Sequence, residues 1–187
     1  KLFGHEKDLN KNKKLLKIIK EKADEHNLEW ELVYAIIAAE RAFKPKIKSI
    51  KGAQGYMQLM PGTFKEQTGK NKEYINDPEL NIEAGCKYIR KMLNAYKNDL
   101  VLALSAYNSG PGGANQAISN NRRFLNTAQY DYISKIISFY LELTNGKNKL
   151  KINPSMIDKY YKFGTKGYEK TAKAKESFLY AFNIFLI

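Results

Sequence analysis

Apolar residues recur at helical spacing in one segment after another of this chain, and clusters of Asn, Gly and Pro separate the segments. That arrangement predicts a mostly helical fold of short elements. Leu15, Leu16, Ile18, Ile19 and Ala23 mark a first helix, which Asn12 can cap and Asn27 can stop, after a polar stretch expected to be loose. Glu29 to about Ala42 reads as a second helix with Trp30, Val33, Ile36 and Ile37 on its apolar side; Pro45 restricts Lys44 and ends it nearby. Ser49 to Met60 is irregular and Gly-bearing, with a short hairpin expected around Tyr56–Leu59. Pro61 is suited to begin a helix that reaches about Thr68, before Gly69. Asn81 is a candidate cap for a helix that feeds Ile82, Ala84, Cys86, Tyr88, Ile89, Met92 and Leu93 into a core. Leu100 to Tyr107 is short and apolar and stops at Asn108-Ser109-Gly110-Pro111-Gly112. Asp131 to Leu143 is a further amphipathic helix, and Asn145-Gly146 closes the unit. The expectation is a mainly α domain over residues 1–149 with a small irregular or β lobe, followed by a helical C-terminal extension over residues 150–187.

The chain has 187 residues, 43% of them hydrophobic, enough for one domain with a real core. No apolar run approaches the roughly 18 residues that span a membrane. The start, Lys1-Leu2-Phe3-Gly4, lacks the apolar stretch of a signal peptide, so a trimmed leader, a fragment or another export route are the readings open here. A formal charge of +13 favours polyanions: nucleic acid, anionic lipid or the acidic polymers of a bacterial wall. The excess is mostly Lys spread along the chain, with Arg only at Arg41, Arg90, Arg122 and Arg123, and this speaks against a specific nucleic-acid partner. The single Cys86 excludes an internal disulfide and reads as a small core residue; His5 and His26 are too few and too far apart for a ligand set, and no acidic calcium loop is present. Neither a metal nor a cofactor is expected.

Glu40 is the acid with the most unusual setting. It follows Ile36 and Ile37 on the inward face of its helix, beside Ala38 and Ala39, and it sits in the last turn. Burial and the helix dipole both favour its neutral form. A carboxylic acid that keeps its proton near neutral pH suits glycosidic cleavage; an ordinary exposed Glu, or one paired with Arg41, is the alternative.

The residues around Glu40 carry more. Glu40, Phe43 and Pro45 are followed by Ser49, nine positions after the Glu, and then by Gly52-Ala53-Gln54-Gly55-Tyr56-Met57-Gln58-Leu59-Met60-Pro61-Gly62-Thr63. Further on come Asn81-Ile82 with Gly85, Tyr88 and Ile89; then Ala106-Tyr107-Asn108 with Gly110-Pro111-Gly112; then Tyr132-Ile133 with Ile136. These four groups, in this order and over residues 14–143, resemble the signatures of the soluble lytic transglycosylase family, which has a lysozyme-like fold. Two departures stand out. Arg41 replaces the Ser that usually follows the family's Glu; its guanidinium either reaches Glu40 and favours the ionised form or points elsewhere, as helix neighbours do. Thr127 and Gln129 only partly fit the family's Glu-Thr before the closing Tyr, so Tyr130 competes with Tyr132 for that place, and the apolar spacing that follows favours Tyr132.

The resemblance implies cleavage of peptidoglycan glycan strands at the bond between N-acetylmuramic acid and N-acetylglucosamine, with Glu40 as acid and then base and a 1,6-anhydro product. It implies that Tyr132 holds Glu40 or the developing charge, that Ser49, Gln58 and Asn108 hydrogen-bond sugar and acetamido groups, and that Met60 and Tyr107 wall the groove. For Ser49, Gln58 and Asn108 a loop-stabilising role is the alternative; for Met60, Tyr107 and Tyr132 it is core packing. No second acid lies in these motifs: Asp77, Glu79, Glu83, Asp99 and Asp131 read better as caps or solvated charges. The competing functions are a lysozyme-type hydrolase, a wall-binding protein without catalysis, and a basic nucleic-acid binder. The expected setting is the cell envelope or a phage virion, with a larger wall-spanning or phage tail assembly as a possible context.

Overall fold

The computed structural model describes residues 6–41, 48–120, 126–145, 147 and 149–150, with the backbone alone at residues 6–12, Arg41 and Thr127. The C-terminal extension from Lys151 onward, and Phe43, Pro45, Arg122 and Arg123, lie outside them.

Among the described residues, six helices form the domain: α1 (Glu6–Glu25), α2 (Trp30–Arg41), α3 (Pro61–Thr68), α4 (Pro78–Ala95), α5 (Leu100–Ser119) and α6 (Thr127–Thr144), with a 3-10 turn at Lys72–Tyr74. Helix α2 packs against α6 and α1; α4 packs against α5, α1 and α3. The expectation of one apolar stripe on α2 is too modest. Leu32, Val33, Tyr34, Ala35, Ile36, Ile37, Ala38 and Ala39 are all buried, while Trp30 is only partly so. A helix apolar all round belongs in the middle of a core, and this one is enclosed.

The register of α6 along α2 is fixed at both ends. The Tyr140 hydroxyl donates to Glu29, just before α2, and the Tyr132 hydroxyl donates to Glu40, near its end. The early residue of one helix meets the late residue of the other, so the pair is antiparallel. Glu29 also accepts from the backbone N–H of Lys149 at 3.0 Å, which ties the chain after α6 to the start of α2.

Several boundaries differ from the expectation. Helix α1 begins at Glu6, so Asn12 lies inside it and is not its cap; the polar first turns carry no apolar period, yet they propagate a helix that packing nucleates further on. Asn27, at φ 52°, does stop the chain in the left-handed region. Helix α4 is capped by Asp77, whose side chain accepts from the Leu80 N–H at 2.9 Å, with Pro78 in the first turn. Asn81 is fully buried one turn later and is not the cap. Helix α6 starts at Thr127, four residues before Asp131, because Asn126 caps it through the Gln129 N–H. Gly110 (φ 76°, ψ 161°) breaks α5 as expected, but the helix resumes at Pro111 and runs to Ser119, a continuation hidden by the glycines at its start.

Among the described residues, the small lobe holds one bridge. Gln54 and Leu59 exchange both backbone hydrogen bonds at 3.0 Å, around a turn in which Gly55 (φ 82°) and Gln58 (φ 45°) are left-handed. Asn81 holds this turn. Its Oδ1 accepts from the Met57 N–H at 2.9 Å, and its Nδ2 donates to the carbonyls of Ile75 (2.8 Å) and Gln54 (3.3 Å). Met57 fills a notch left by Gly85 in α4, where an added Cβ would stand 2.1 Å from its sulfur. Two buried backbone groups and one part-buried one therefore depend on one side chain. Asn81→Ala is expected to lower the unfolding free energy by about 2–4 kcal/mol in urea denaturation, and Asn81→Asp, which keeps the Met57 bond but sets a buried carboxylate oxygen against the Ile75 and Gln54 carbonyls, by at least as much.

Candidate active site

The site begins where the buried run of α2 ends. Glu40 is the first polar side chain after eight buried residues, Leu32 to Ala39, and it is half-buried. The Tyr132 hydroxyl donates to its Oε1 at 2.8 Å across the α2–α6 contact. Tyr132 is thus the tyrosine that meets Glu40, as its apolar spacing suggested over Tyr130. Burial first, and then the Glu40 charge, push the Tyr132 phenol well above its ordinary value. The side chain of Arg41 lies outside the described residues.

Ser49 opens the lobe. Its backbone N–H and its Oγ both engage Ala53, the hydroxyl oxygen accepting from the Ala53 N–H at 2.9 Å. Gln58 is buried, and its Nε2 donates to the Gly55 carbonyl at 2.9 Å, closing its own turn. Tyr107 is buried as well. Its hydroxyl donates to the Met57 carbonyl at 2.8 Å, and its ring lies 5.3 Å from that of Tyr88. Met60 is 44% exposed and Asn108 is exposed. The structure therefore joins Glu40 directly to Tyr132, and joins Tyr107 to the Gln58 turn through the Met57 peptide. Ser49, Met60 and Asn108 stand at the solvent-accessible parts of the same motifs.

The other acids singled out by sequence are engaged elsewhere. Asp77 caps α4 and Asp99 caps α5. Glu83 pairs with Lys87 at 2.8 Å and with Lys22 at 3.5 Å, and Glu79 pairs with Lys22 at 3.6 Å. Asp131 is exposed beside Tyr132 in α6, and adjacent helix positions point apart. Among the described residues, no three of His, Cys, Asp and Glu come together as a metal site would require. Burial drives the Cys86 thiol up to about 12, so it stays protonated in the core.

Two residues given no site role by the sequence also matter. Gln129 is buried and pairs twice with Ser105, accepting from its hydroxyl at 3.2 Å and donating to its carbonyl at 3.1 Å, one turn before Tyr132. Lys135, one turn after Tyr132, donates to the Ala39 carbonyl at 3.2 Å. Both follow from the helical spacing around Tyr132, but only the three-dimensional pairing reveals their partners.

A mainly α domain with a small irregular lobe and a half-buried Glu at the end of a core helix defines a lysozyme-like fold. A model of the Transglycosylase SLT domain matches residues 17–129, and the chain belongs to that family. Over 136 residues it is 31% identical to the soluble lytic murein transglycosylase of Escherichia coli K12, a match over 69% of this chain and 20% of that protein. It is 33% identical over 106 residues to a membrane-bound lytic murein transglycosylase F of Desulfosudis oleivorans, a match over 54% of this chain and 23% of that one. Among solved structures it is similar to the lytic transglycosylase Slt of Pseudomonas aeruginosa, determined as an inactive Glu-to-Gln variant, with TM-score 0.65, 25% identity, and coverage of 73% of this chain and 25% of that one. The 70-kDa soluble lytic transglycosylase of Escherichia coli superposes with TM-score 0.59 at 25% identity, again over 73% of this chain and 25% of that one. The chain spans about a fifth of the length of the Escherichia coli relative.

The site's phenols make a pH prediction. Burial raises Tyr34, Tyr56, Tyr88, Tyr107, Tyr132 and Tyr140, with Glu29 adding to the effect at Tyr140 and Glu40 at Tyr107 and Tyr132. A folded-state value above the unfolded value of about 10 means that the unfolded chain releases these protons first. Their stabilising effect is complete below that pH and is lost as pH rises beyond it. Phenolate absorbance during alkaline titration should show the remaining tyrosines ionising first and these six at higher pH, and the denaturation midpoint should fall steadily above about pH 10.

Proposed function

We propose that this domain is a peptidoglycan lytic transglycosylase and that Glu40 is its acid and base. The observation that carries the reading is the Tyr132–Glu40 bond where the buried run of α2 ends, together with Asp77 and Asp99 serving as helix caps and Glu79 and Glu83 paired with lysines. A site with one placed carboxylate suits a reaction whose nucleophile is already part of the substrate. Family membership and relatives named lytic murein transglycosylases support the same chemistry.

Glu40 gives its proton to the oxygen that links C1 of N-acetylmuramic acid to N-acetylglucosamine. The C1–O bond breaks, and the N-acetylglucosamine leaves as an alcohol carrying that proton. The C6 hydroxyl of the same muramoyl residue attacks C1, the C1–O6 bond closes a 1,6-anhydro ring, and the hydroxyl proton returns to Glu40. No water is consumed. The nucleophile is tethered, so the entropic cost of recruiting one is avoided. Tyr132 fixes the carboxyl orientation and donates to it when it is charged. Ser49 and Asn108 present polar groups, and Met60 an apolar surface, to the glycan. Gln58 and Tyr107 shape the lobe that carries Ser49 and leads to Met60.

No helix of the described residues is long and apolar enough to cross a membrane. The substrate places the action of the domain at the bacterial envelope. A charge of +13 suits contact with acidic wall polymers, whether a bacterial assembly or a phage particle delivers it.

Purified peptidoglycan digested with this protein should yield muropeptides one water lighter than reducing muropeptides in mass spectrometry. Glu40→Gln should reduce their release by roughly a thousandfold, and Tyr132→Phe by roughly tenfold with little change in KM. Reducing products would replace the C6 hydroxyl by water and make the domain a hydrolase. Full activity in Glu40→Gln would overturn the assignment of the acid.

A further inference from the structure

Lys135 lies three residues after Tyr132, so both side chains leave α6 on one face, and both end on the last turn of α2. Tyr132 reaches the Glu40 carboxyl at 2.8 Å, and the Lys135 ammonium reaches the Ala39 carbonyl at 3.2 Å. Ala39 is in the last turn of α2 (Trp30–Arg41), where carbonyls have no partner within the helix. An ordinary surface lysine on α6 has Asp131, exposed four residues earlier, as its natural partner. No ion pair among the described residues joins them. Lys135 turns inward instead, half-buried, with its ammonium 5.8 Å from the centre of the Phe139 ring. Burial lowers its proton affinity, and the Glu40 charge is the influence that raises it.

We propose that Lys135 is a positioning residue for Glu40, locking the last turn of α2 and supplying a fixed positive charge that steadies the Glu40 carboxylate. This rests on the reading of Glu40 as the acid. When Glu40 gives up its proton, a negative charge appears half-buried at a helix C-terminus, where both burial and the dipole oppose it. The Glu40 charge acts on Tyr132 of α6 and Tyr107 of α5, which are neutral phenols, and on Lys135, which is a cation. Tyr132 supplies the direct bond to Oε1, and Lys135 supplies the compensating charge from the Ala39 carbonyl one residue away.

The test follows the Glu40 carboxyl by carbon-13 NMR in protein labelled at glutamate, with its resonance assigned by its loss in Glu40→Gln. In Lys135→Met the titration midpoint should rise by about one pH unit; in Lys135→Arg it should stay within a few tenths. Lys135→Gln keeps a donor for Ala39 but not the charge, and it should shift Glu40 as far as Lys135→Met does. It also serves if the methionine variant does not fold, which circular dichroism and melting will report. In muropeptide release, the loss of kcat at high pH should move upward by the same interval, with kcat near neutrality about tenfold lower, KM unchanged and Lys135→Arg restoring both. An unchanged Glu40 midpoint in a folded Lys135→Met or Lys135→Gln protein overturns the proposal. If the unmodified protein releases no muropeptides at all, the transglycosylase reading fails, and the NMR titration still decides the role of Lys135.

Discussion

Two tyrosine–carboxylate bonds set the geometry on which this domain depends. Tyr132 and Tyr140 stand eight residues apart on α6 and meet Glu40 and Glu29 at opposite ends of α2. The apolar surfaces between them are greasy and tolerant of sliding: Leu, Ile, Val and Ala on one helix against Ile and Phe on the other. Hydrophobic burial drives such a contact strongly but with little directional preference. The two hydroxyls supply what burial lacks, because a slip by one residue would leave both without their acceptors. The bond that orients the candidate acid is therefore one of the pair that places the helix.

The lobe is attached by a different device. The Met57 peptide is held on both sides, its N–H by Asn81 of α4 and its carbonyl by Tyr107 of α5, while its side chain lies in the notch of Gly85. A single-bridge lobe cannot stabilise itself. Anchoring its central residue to two core helices transfers their rigidity to Gln58 and to the chain that leads to Met60. Tyr107, expected as a groove wall, contributes through its hydroxyl and a buried ring.

Much of this was legible from residues alone, and the misses have definite causes. Pro61 and Gly69 delimited α3, and Gly110 broke α5, because backbone restrictions at Pro and Gly act locally and leave a sequence mark. Asn81 was misread because a capping preference is local while its actual partners lie up to 27 residues away. Asp77 before Pro78 and Asn126 before Thr127 were the true cap signals. The start of α1 was missed because polar turns carry no apolar period, and the end of α5 because glycines and small alanines weaken one. Glu40 was singled out by its place after an apolar run and by the family resemblance around it, and Tyr132 by that resemblance, with the apolar spacing after it favouring it over Tyr130. Their contact spans 92 residues and could not be read from either segment. Lys135 left no mark beyond being one lysine among many.

The proposed chemistry explains why so few groups would suffice. A hydrolase must place an acid and also something to activate water, at a defined separation. A reaction that closes a ring within one sugar needs a single group able to release and recover a proton within reach of two oxygens of that sugar. The scaffold requirement then changes from spacing two carboxylates to keeping one in a fixed orientation through a full cycle of charge. A phenol whose proton is retained well beyond neutral pH is suited to that task, since it never becomes a competing anion beside Glu40. It donates to the carboxylate when the acid is spent, and its oxygen still has a lone pair for the protonated form. Orientation is thus preserved in both states by the same contact that registers α6 on α2.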